Sequence, residues 1–465
     1  MPVADELDGD ALIDFYPYRS RFRTYHRLEA EGRDRQSILD ELATMAAEED
    51  GIADRGRVSG SIYHGDHDHY RFLTEAFRLF AHANVLQRDM YPSATKLEAE
   101  IVAMTASMLH GTEQVCGVVT FGGTESLINP MLVYRDRGRA EKGITEPEVI
   151  IPITAHVALD KAAHLLGIKL VKAPLGPDWR VDTGWVRAHV TSNTVALVGS
   201  APNYAHGIID PISELSDIAL EHGLGLHVDG CLGGFILPWG ERLGYPIPVF
   251  DFRIPGVTSI SADTHKYGYS LKGTSVLLYR NPELRQYQYF TNPDWPGGIY
   301  FSPGLSGSRS GDVVAAAWAA MVSLGEKGYL EVADRIFKTA ATIRQGVDSI
   351  PELEVIGDPT FLIAFRAREL DVFHVNDHLI EKGWRLNALQ LPPALHFCVT
   401  RPNTAPGVAQ AFVADLRDAV EYAKHPARMS PKSGALYGLG GTPAGNEILD
   451  TLFSAALDAM YEVAP

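Results

Sequence analysis

The segment SADTHKYGYSLKGTSVLLYR, residues 261–280, sets Lys266 in a glycine-broken loop between a short β-type run and a strongly β-branched one. Lys272 follows six positions on. A lysine beside strand residues is ordinarily a solvated surface charge. In a desolvated cleft, however, a lysine gives up its proton more readily and can attack a carbonyl carbon. Lys272 adds cationic repulsion in the same direction and is itself suited to holding an anion. On these grounds Lys266 is read as a reagent whose amine is partly neutral.

Three further features fall at strand ends. GGTES, residues 122–126, closes the strand GVVTF and opens a helix. Its glycines let backbone approach a ligand, Thr124 and Ser126 offer hydroxyls, and the helix start presents unpaired N–H groups, which suits a phosphate. The plain alternative is a tight strand-to-helix turn with a capping hydroxyl. HVDGCLGG, residues 227–234, puts Asp229 at the end of an apolar strand, where a carboxylate either caps a turn or meets a buried cation. TAH, residues 154–156, puts His156 after EVIIPI, a position that more often holds a structural histidine than a functional one. In this order the set fits pyridoxal 5'-phosphate. The helix start holds the phosphate, Asp229 pairs with the protonated pyridine nitrogen, Lys266 forms the Schiff base and His156 lies flat on the ring.

The elements that position these residues alternate. Between about residues 116 and 280, GVVTF, EVIIPIT, TVALVGS and LGLHVDG read as strands. ESLINPMLVYRDRGR, VALDKAAHLLGI and ISELSDIALEHG read as helices between them. That pattern predicts βαβ units and a mainly parallel sheet, with ligands beyond the carboxyl ends of its strands. Upstream, TKLEAEIVAMTASMLHG carries Leu97, Ile101, Met104 and Met108 at helical spacing with Gly111 as a stop. A charged, helical start runs through ILDELATMAAEED. SGSIYHGDHDHYRF reads as an irregular segment. Downstream, a long helix begins at DVVAAAW, with a break near Gly325 or Gly328, and leads to strands at LEVIG, FLIAFRA and HFCVT and a helix at VAQAFVADLRDAVEYAK. The expected division is an N-terminal segment (1–65), a large cofactor-binding domain (66–320) and a small C-terminal α/β domain (321–465).

Composition narrows the functions. The 465 residues carry 46% hydrophobic and 21% charged side chains, a globular balance. A net charge of −17 disfavours a nucleic-acid partner while leaving room for a locally basic pocket. Cys116, Cys231 and Cys398 lie far apart, which indicates a reducing compartment and packing roles, for Cys231 in particular. The acidic start MPVADELDGDALIDFYPYRS is neither a signal peptide nor a membrane anchor, so the expected location is cytoplasmic. His64, His67 and His69 look metal-like, but no distant cysteine or carboxylate set matches them. They are read as a loop near the active-site mouth, with no metal.

These residues resemble the sphingosine-1-phosphate lyases, a branch of the fold-type I pyridoxal-phosphate enzymes related to the group II amino-acid decarboxylases. The resemblance runs from about residue 58 to 440. It rests on YPSATKLEAEI, TFGGTESLI, PITAHVALDKAAHLLGIKL, GSAPNYAHGIIDPI, LHVDGCLGGFILP, PGVTSISADTHKYGYSLKGTSVLLYR, WPGGIYFSPGLSGSRSG and ALYGLGG. It implies the PLP-dependent transferase-like α/β fold, with a seven-stranded, mainly parallel sheet and a smaller C-terminal domain, and a homodimer with active sites at the subunit interface. By the same likeness Lys266 carries the cofactor, Asp229 faces its ring nitrogen, His156 stacks on the ring, and Gly123, Thr124 and His265 belong to the cofactor site. Ser308 would reach the phosphate from the neighbouring subunit. Tyr63, Asn84, Gln87, Lys272 and Tyr204 match the family's substrate-contacting positions. Gln87 is a departure, standing where the family typically has a histidine; it can donate a hydrogen bond but cannot become a cation.

The implied reaction is retro-aldol cleavage of a phosphorylated sphingoid base to a long-chain aldehyde and phosphoethanolamine, with Lys266, Tyr63, Tyr204 and Lys272 as catalytic candidates. Two alternatives stand beside it. One is decarboxylation of an amino acid with the same cofactor; the other is a non-catalytic binding protein on this fold.

Overall fold

The computed structural model describes residue 18 and residues 21–434 and 443–461. The ALYGLGG motif and nearly all of the acidic N-terminal stretch lie outside the described residues. The predicted alternation folds into one seven-stranded sheet ordered β1-β7-β6-β5-β4-β2-β3. Its strands are β1 (Cys116–Thr120), β2 (Glu148–Pro152), β3 (Lys169–Ala173), β4 (Thr194–Ser200), β5 (Gly225–Asp229), β6 (Ser259–Ala262) and β7 (Ser275–Tyr279). β7 runs antiparallel to both neighbours, β1 and β6, and the other pairings are parallel. The KLVKA run of β3 is the one strand of this sheet that the sequence reading passed over, a short edge strand with a lysine at each of two positions.

The central strands are buried on both faces, as strands covered by helices on each side must be. Successive residues point into different cores. In β2, Ile150 joins one apolar cluster while Val149 and Ile151 join the other. Helices Gly123–Lys142 and Ala158–Leu166 pack one face through Leu127, Met131, Tyr134 and Leu159; helices Pro92–Met108 and Ile212–His222 contribute Leu97, Ile101, Leu215 and Ile218 to the other core.

A hairpin of β8 (Phe290–Asn292) and β9 (Tyr300–Ser302) precedes helix Gly311–Asp348, which is interrupted at Gly325 (φ 55°, ψ −177°), one of the two expected breaks. Beyond it β10 (Leu353–Val355), β11 (Leu362–Ala367), β12 (Asn387–Gln390) and β13 (Pro393–Cys398) form an antiparallel sheet ordered β10-β11-β13-β12, backed by helices Val372–Glu381 and Val408–Lys424. β12 was not foreseen. The segment at 57–60 adds to this sheet's margin, with Ser59 N–H donating to Arg385 O and Gly60 N–H to Cys398 O. HGDHDHYRF is only half irregular: Asp66 caps a helix, His67–Leu79, by accepting from the Asp68 and His69 N–H groups. Among the described residues no helix is long and apolar enough to cross a membrane.

Candidate active site

The parallel strands end along one edge, and the segments leaving them carry the singled-out residues: Gly122 after β1, His156 after β2, Tyr204 after β4, Asp229 ending β5 and Lys266 after β6. This is the edge where open α/β sheets place ligands.

The Lys266 loop is fixed from several sides. Ser270 N–H donates to Thr264 O, and the Thr264 hydroxyl donates to Thr274 Oγ1 at 2.7 Å. The fully buried Tyr267 donates to Val399 O at 2.7 Å, tying the loop to the small sheet. Tyr269 sits at φ 61°, a costly conformation for an aromatic residue. It is held by contacts on either side, with Tyr329 Oη donating to Gly268 O at 3.0 Å and His69 Nε2 lying 2.7 Å from Tyr269 O. The histidine cluster thus braces this loop. His64 and His69 stack at 3.8 Å, His67 Nε2 lies 3.1 Å from Asp54, and burial pushes His64 down to about 3.

The electrostatics at Lys266 correct the expectation of a partly neutral amine. Burial acts most strongly against its charge, but the Asp263 carboxylate 2.8 Å from Nζ, with the groups around it, acts the other way, and the net effect holds the ammonium above the ordinary lysine range. Lys272 is itself lowered, by burial first and then by repulsion from Lys266. Its Nζ donates to Ser61 O at 3.0 Å and lies 4.7 Å from the Tyr63 ring centroid, a cation–π contact. Tyr63 is buried and packs edge-on against Tyr267 at 5.0 Å; burial drives its phenol well up. Asp263 is a site residue that the sequence reading missed. Its signal, an acid three residues before the lysine, looks like any polar residue at a strand end.

The GGTES turn has the shape of a phosphate cradle. Gly122 adopts φ 106°, and a Cβ on Gly123 would lie 2.8 Å from Asp263 Oδ2 and 3.2 Å from Cys231 Sγ, so the turn admits no side chain there. Thr124 is exposed at the start of the 20-residue helix. Ser126 does not face a ligand; its hydroxyl is committed to Thr120 Oγ1 at 2.6 Å and Ser275 Oγ at 2.8 Å, welding the turn to β7. Asp229 is 7% exposed and accepts from the Cys231 N–H at 3.0 Å. Behind it, burial lowers His227 to about 4, a neutral ring whose Nδ1 is 2.8 Å from Ser259 Oγ. His156 accepts from the Ala158 N–H through Nδ1 at 3.1 Å and meets the Tyr204 ring edge-on at 6.5 Å. The Tyr204 hydroxyl accepts from Asn387 Nδ2, and its ring packs on His396 at 4.8 Å. Among the described residues His265 Nδ1 is buried with no hydrogen-bond partner, and its ring lies beside the glycine turn, where a Cβ on Gly122 would be 3.4 Å from Cε1. A tight glycine cradle, a buried carboxylate and a lysine on one sheet edge fit a phosphorylated pyridine aldehyde.

Asn84 and Ser308 come together within one chain: Asn84 Nδ2 donates to Ser308 Oγ at 3.0 Å, and Asn84 Oδ1 accepts from the Arg309 N–H at 3.1 Å. This pairing hangs on a buried ion pair absent from the sequence reading. Arg309 donates to Glu98 at 3.0 and 3.3 Å and to Val119 O at 2.6 Å, anchoring SGSR against β1. Gln87 is exposed one turn beyond Asn84, its backbone N–H donating to Asn84 O.

Residues 61–368 match the family model described as the pyridoxal-dependent decarboxylase conserved domain. The chain is 45% identical over 419 residues to a sphingosine-1-phosphate lyase of Arabidopsis thaliana, covering 88% of this chain and 76% of that protein. It is 40% identical over 458 residues to sphingosine-1-phosphate lyase 1 of Mus musculus, covering 98% and 80%. The solved structure of a Burkholderia pseudomallei sphingosine-1-phosphate lyase superposes with a TM-score of 0.91 at 50% identity over 97% of this chain and 100% of that one. A Lactobacillus brevis glutamate decarboxylase, at 19% identity and TM-score 0.75 over 89% and 99%, shares the fold. With two-fifths or more of its residues shared along most of its length, and the strand-edge lysine, acid and glycine turn in place, the chain belongs to the sphingosine-1-phosphate lyase family of pyridoxal-phosphate enzymes.

Proposed function

We propose that this protein is a carbon–carbon lyase that cleaves the C2–C3 bond of phosphorylated sphingoid bases, releasing a long-chain aldehyde and phosphoethanolamine. The observation that carries the reading is the high identity to sphingosine-1-phosphate lyases over nearly the whole chain, joined to the lysine, acid and glycine turn on one sheet edge. Bound pyridoxal phosphate supplies an aldehyde for an amine and a protonated ring that draws electrons from a breaking bond.

In this reading Gly123, Thr124 and His265 would hold the cofactor phosphate, Asp229 would pair with the ring nitrogen, His156 would contribute to the ring's binding and Lys266 would be the tether. Lys272, Asn84 and Gln87 hold the substrate phosphate. Tyr204 and Tyr63 orient the substrate hydroxyl. Because burial raises the Tyr63 phenol, Tyr63 donates a hydrogen bond at neutral pH and does not serve as a phenolate base. Since Asp263 holds Lys266 as an ammonium, the substrate phosphate is the better acceptor for the hydroxyl proton.

A homodimer and a cytoplasmic setting belong to the same proposal. The segment just before Ser308 exposes Phe290, Trp295, Ile299, Phe301 and Leu305, each more than half accessible, which is the kind of apolar patch that a second subunit covers. The reaction is tested by incubating purified protein with a phosphorylated sphingoid base and, separately, with amino acids. Aldehyde release is the expected result. Carbon dioxide from an amino acid without aldehyde would overturn it in favour of the decarboxylase alternative.

A further inference from the structure

Asp263 stands three residues before Lys266, at the exit of β6. Its carboxylate is 1% exposed and 2.8 Å from Lys266 Nζ. The same carboxylate abuts the start of helix Gly123–Lys142, since a Cβ on Gly123 would lie 2.8 and 3.0 Å from its two oxygens. Among the described residues neither oxygen receives a hydrogen bond of ordinary geometry, and the lysine is the main group offsetting a buried charge.

The other groups facing the pair do not replace either partner. His265 Nε2 is 3.5 Å from Asp263 Oδ2, and burial lowers that imidazole. Cys231, on the turn after β5, and Tyr63, on the N-terminal segment, are both pushed up by burial and stay protonated at neutral pH. Lys272, across the loop, repels Lys266, and the Ser275 hydroxyl on β7 is uncharged. Asp263 is thus the anion in contact with Nζ.

We propose that Asp263 is a positioning residue that clamps Lys266 Nζ against the GGTES turn and keeps a proton on that nitrogen. The clamp is a property of the chain alone. Its use in catalysis rests on Lys266 being the cofactor's tether, as proposed above. A consequence is that Nζ must shed a firmly held proton before bonding to a carbonyl carbon, and that once bonded it retains a proton to higher pH than an isolated imine nitrogen would.

Two measurements test this on the full-length protein. In the first, the visible absorption band of the cofactor-loaded protein is titrated with pH. Asp263→Asn should lower the midpoint by about 1–3 units, the effect of removing an opposite charge at this range. Asp263→Ser, which also lacks the charge, should move it the same way. In the second, carbonyl-free protein is treated with formaldehyde and cyanoborohydride and the methylation of Lys266 is followed by peptide mass. At neutral pH Asp263→Asn should be labelled at least roughly ten-fold faster than the unsubstituted protein, the factor for one unit. A midpoint within about 0.3 unit of the original together with unchanged labelling would overturn the clamp. Faster labelling of the variant in a protein that takes up no pyridoxal at Lys266 would keep the clamp and sink the cofactor reading instead.

Discussion

Replacing Glu98 with alanine probes the frame that holds the candidate site. Glu98 and Arg309 are 4% and 7% exposed, and Glu98 also accepts from the Val119 N–H at 3.0 Å while pairing with Arg88. Glu98→Ala leaves a buried guanidinium without its counter-charge, a loss of about 3–5 kcal/mol, and orphans the Val119 N–H as well. Against a total stability of about 5–15 kcal/mol this is a large fraction. With a urea slope near 3 kcal/mol/M, the unfolding midpoint should fall by roughly 1–2 M, measured by circular dichroism on the cofactor-loaded protein. The pH dependence has a definite sign. Burial alone would raise the Glu98 carboxyl, but Arg309 and Arg88 hold it below its usual value. Its stabilising contribution is therefore complete above the unfolded value of about 4.3 and disappears as pH falls through the lower folded value. Glu98→Ala should flatten that acid limb. Because Arg309 also carries the Asn84–Ser308 contact, the variant should lose cofactor more readily on dialysis. Replacing both partners, Glu98→Leu with Arg309→Met, should recover most of the stability. A midpoint shift below about 0.3 M for the single variant would refute the idea that this pair anchors SGSR to β1.

Tyr63→Phe should load cofactor normally yet turn over phosphorylated sphingoid base more slowly, by up to roughly 10²- to 10⁴-fold, as read by aldehyde release; equal loss of cofactor uptake would assign Tyr63 to the scaffold. Gln87→His should tighten binding of phosphorylated amines below about pH 6.5, where a solvent-exposed histidine becomes a cation, measured by calorimetry across pH. No change with pH would mean that position 87 does not meet the substrate.

Much of the large sheet was legible because its strands are uninterrupted apolar runs bounded by turns, and burial on both faces demands such runs. The helix at 408–424 and the break at Gly325 could be read for similarly local reasons, apolar spacing and glycine's backbone freedom. β3 and β12 escaped because edge strands bury less and carry mixed side chains, Lys169 and Lys172 in one and Asn387 and Gln390 in the other. At the site, Lys266, Asp229, His156 and GGTES stood out because residue type and strand-end position coincide in the chain.

The sequence by itself determined the fold class and the family, since both are written in local pattern and contiguous motifs. Only the tertiary structure decided which charges meet. Whether Lys266 is neutral depends on a carboxylate brought to 2.8 Å by the turn after β6, and electrostatic energy varies with distance and burial, neither of which is encoded in spacing. The same holds for Glu98 and Arg309, 211 residues apart and joined inside the core, and for Ser126, whose hydroxyl turned inward to Thr120 and Ser275.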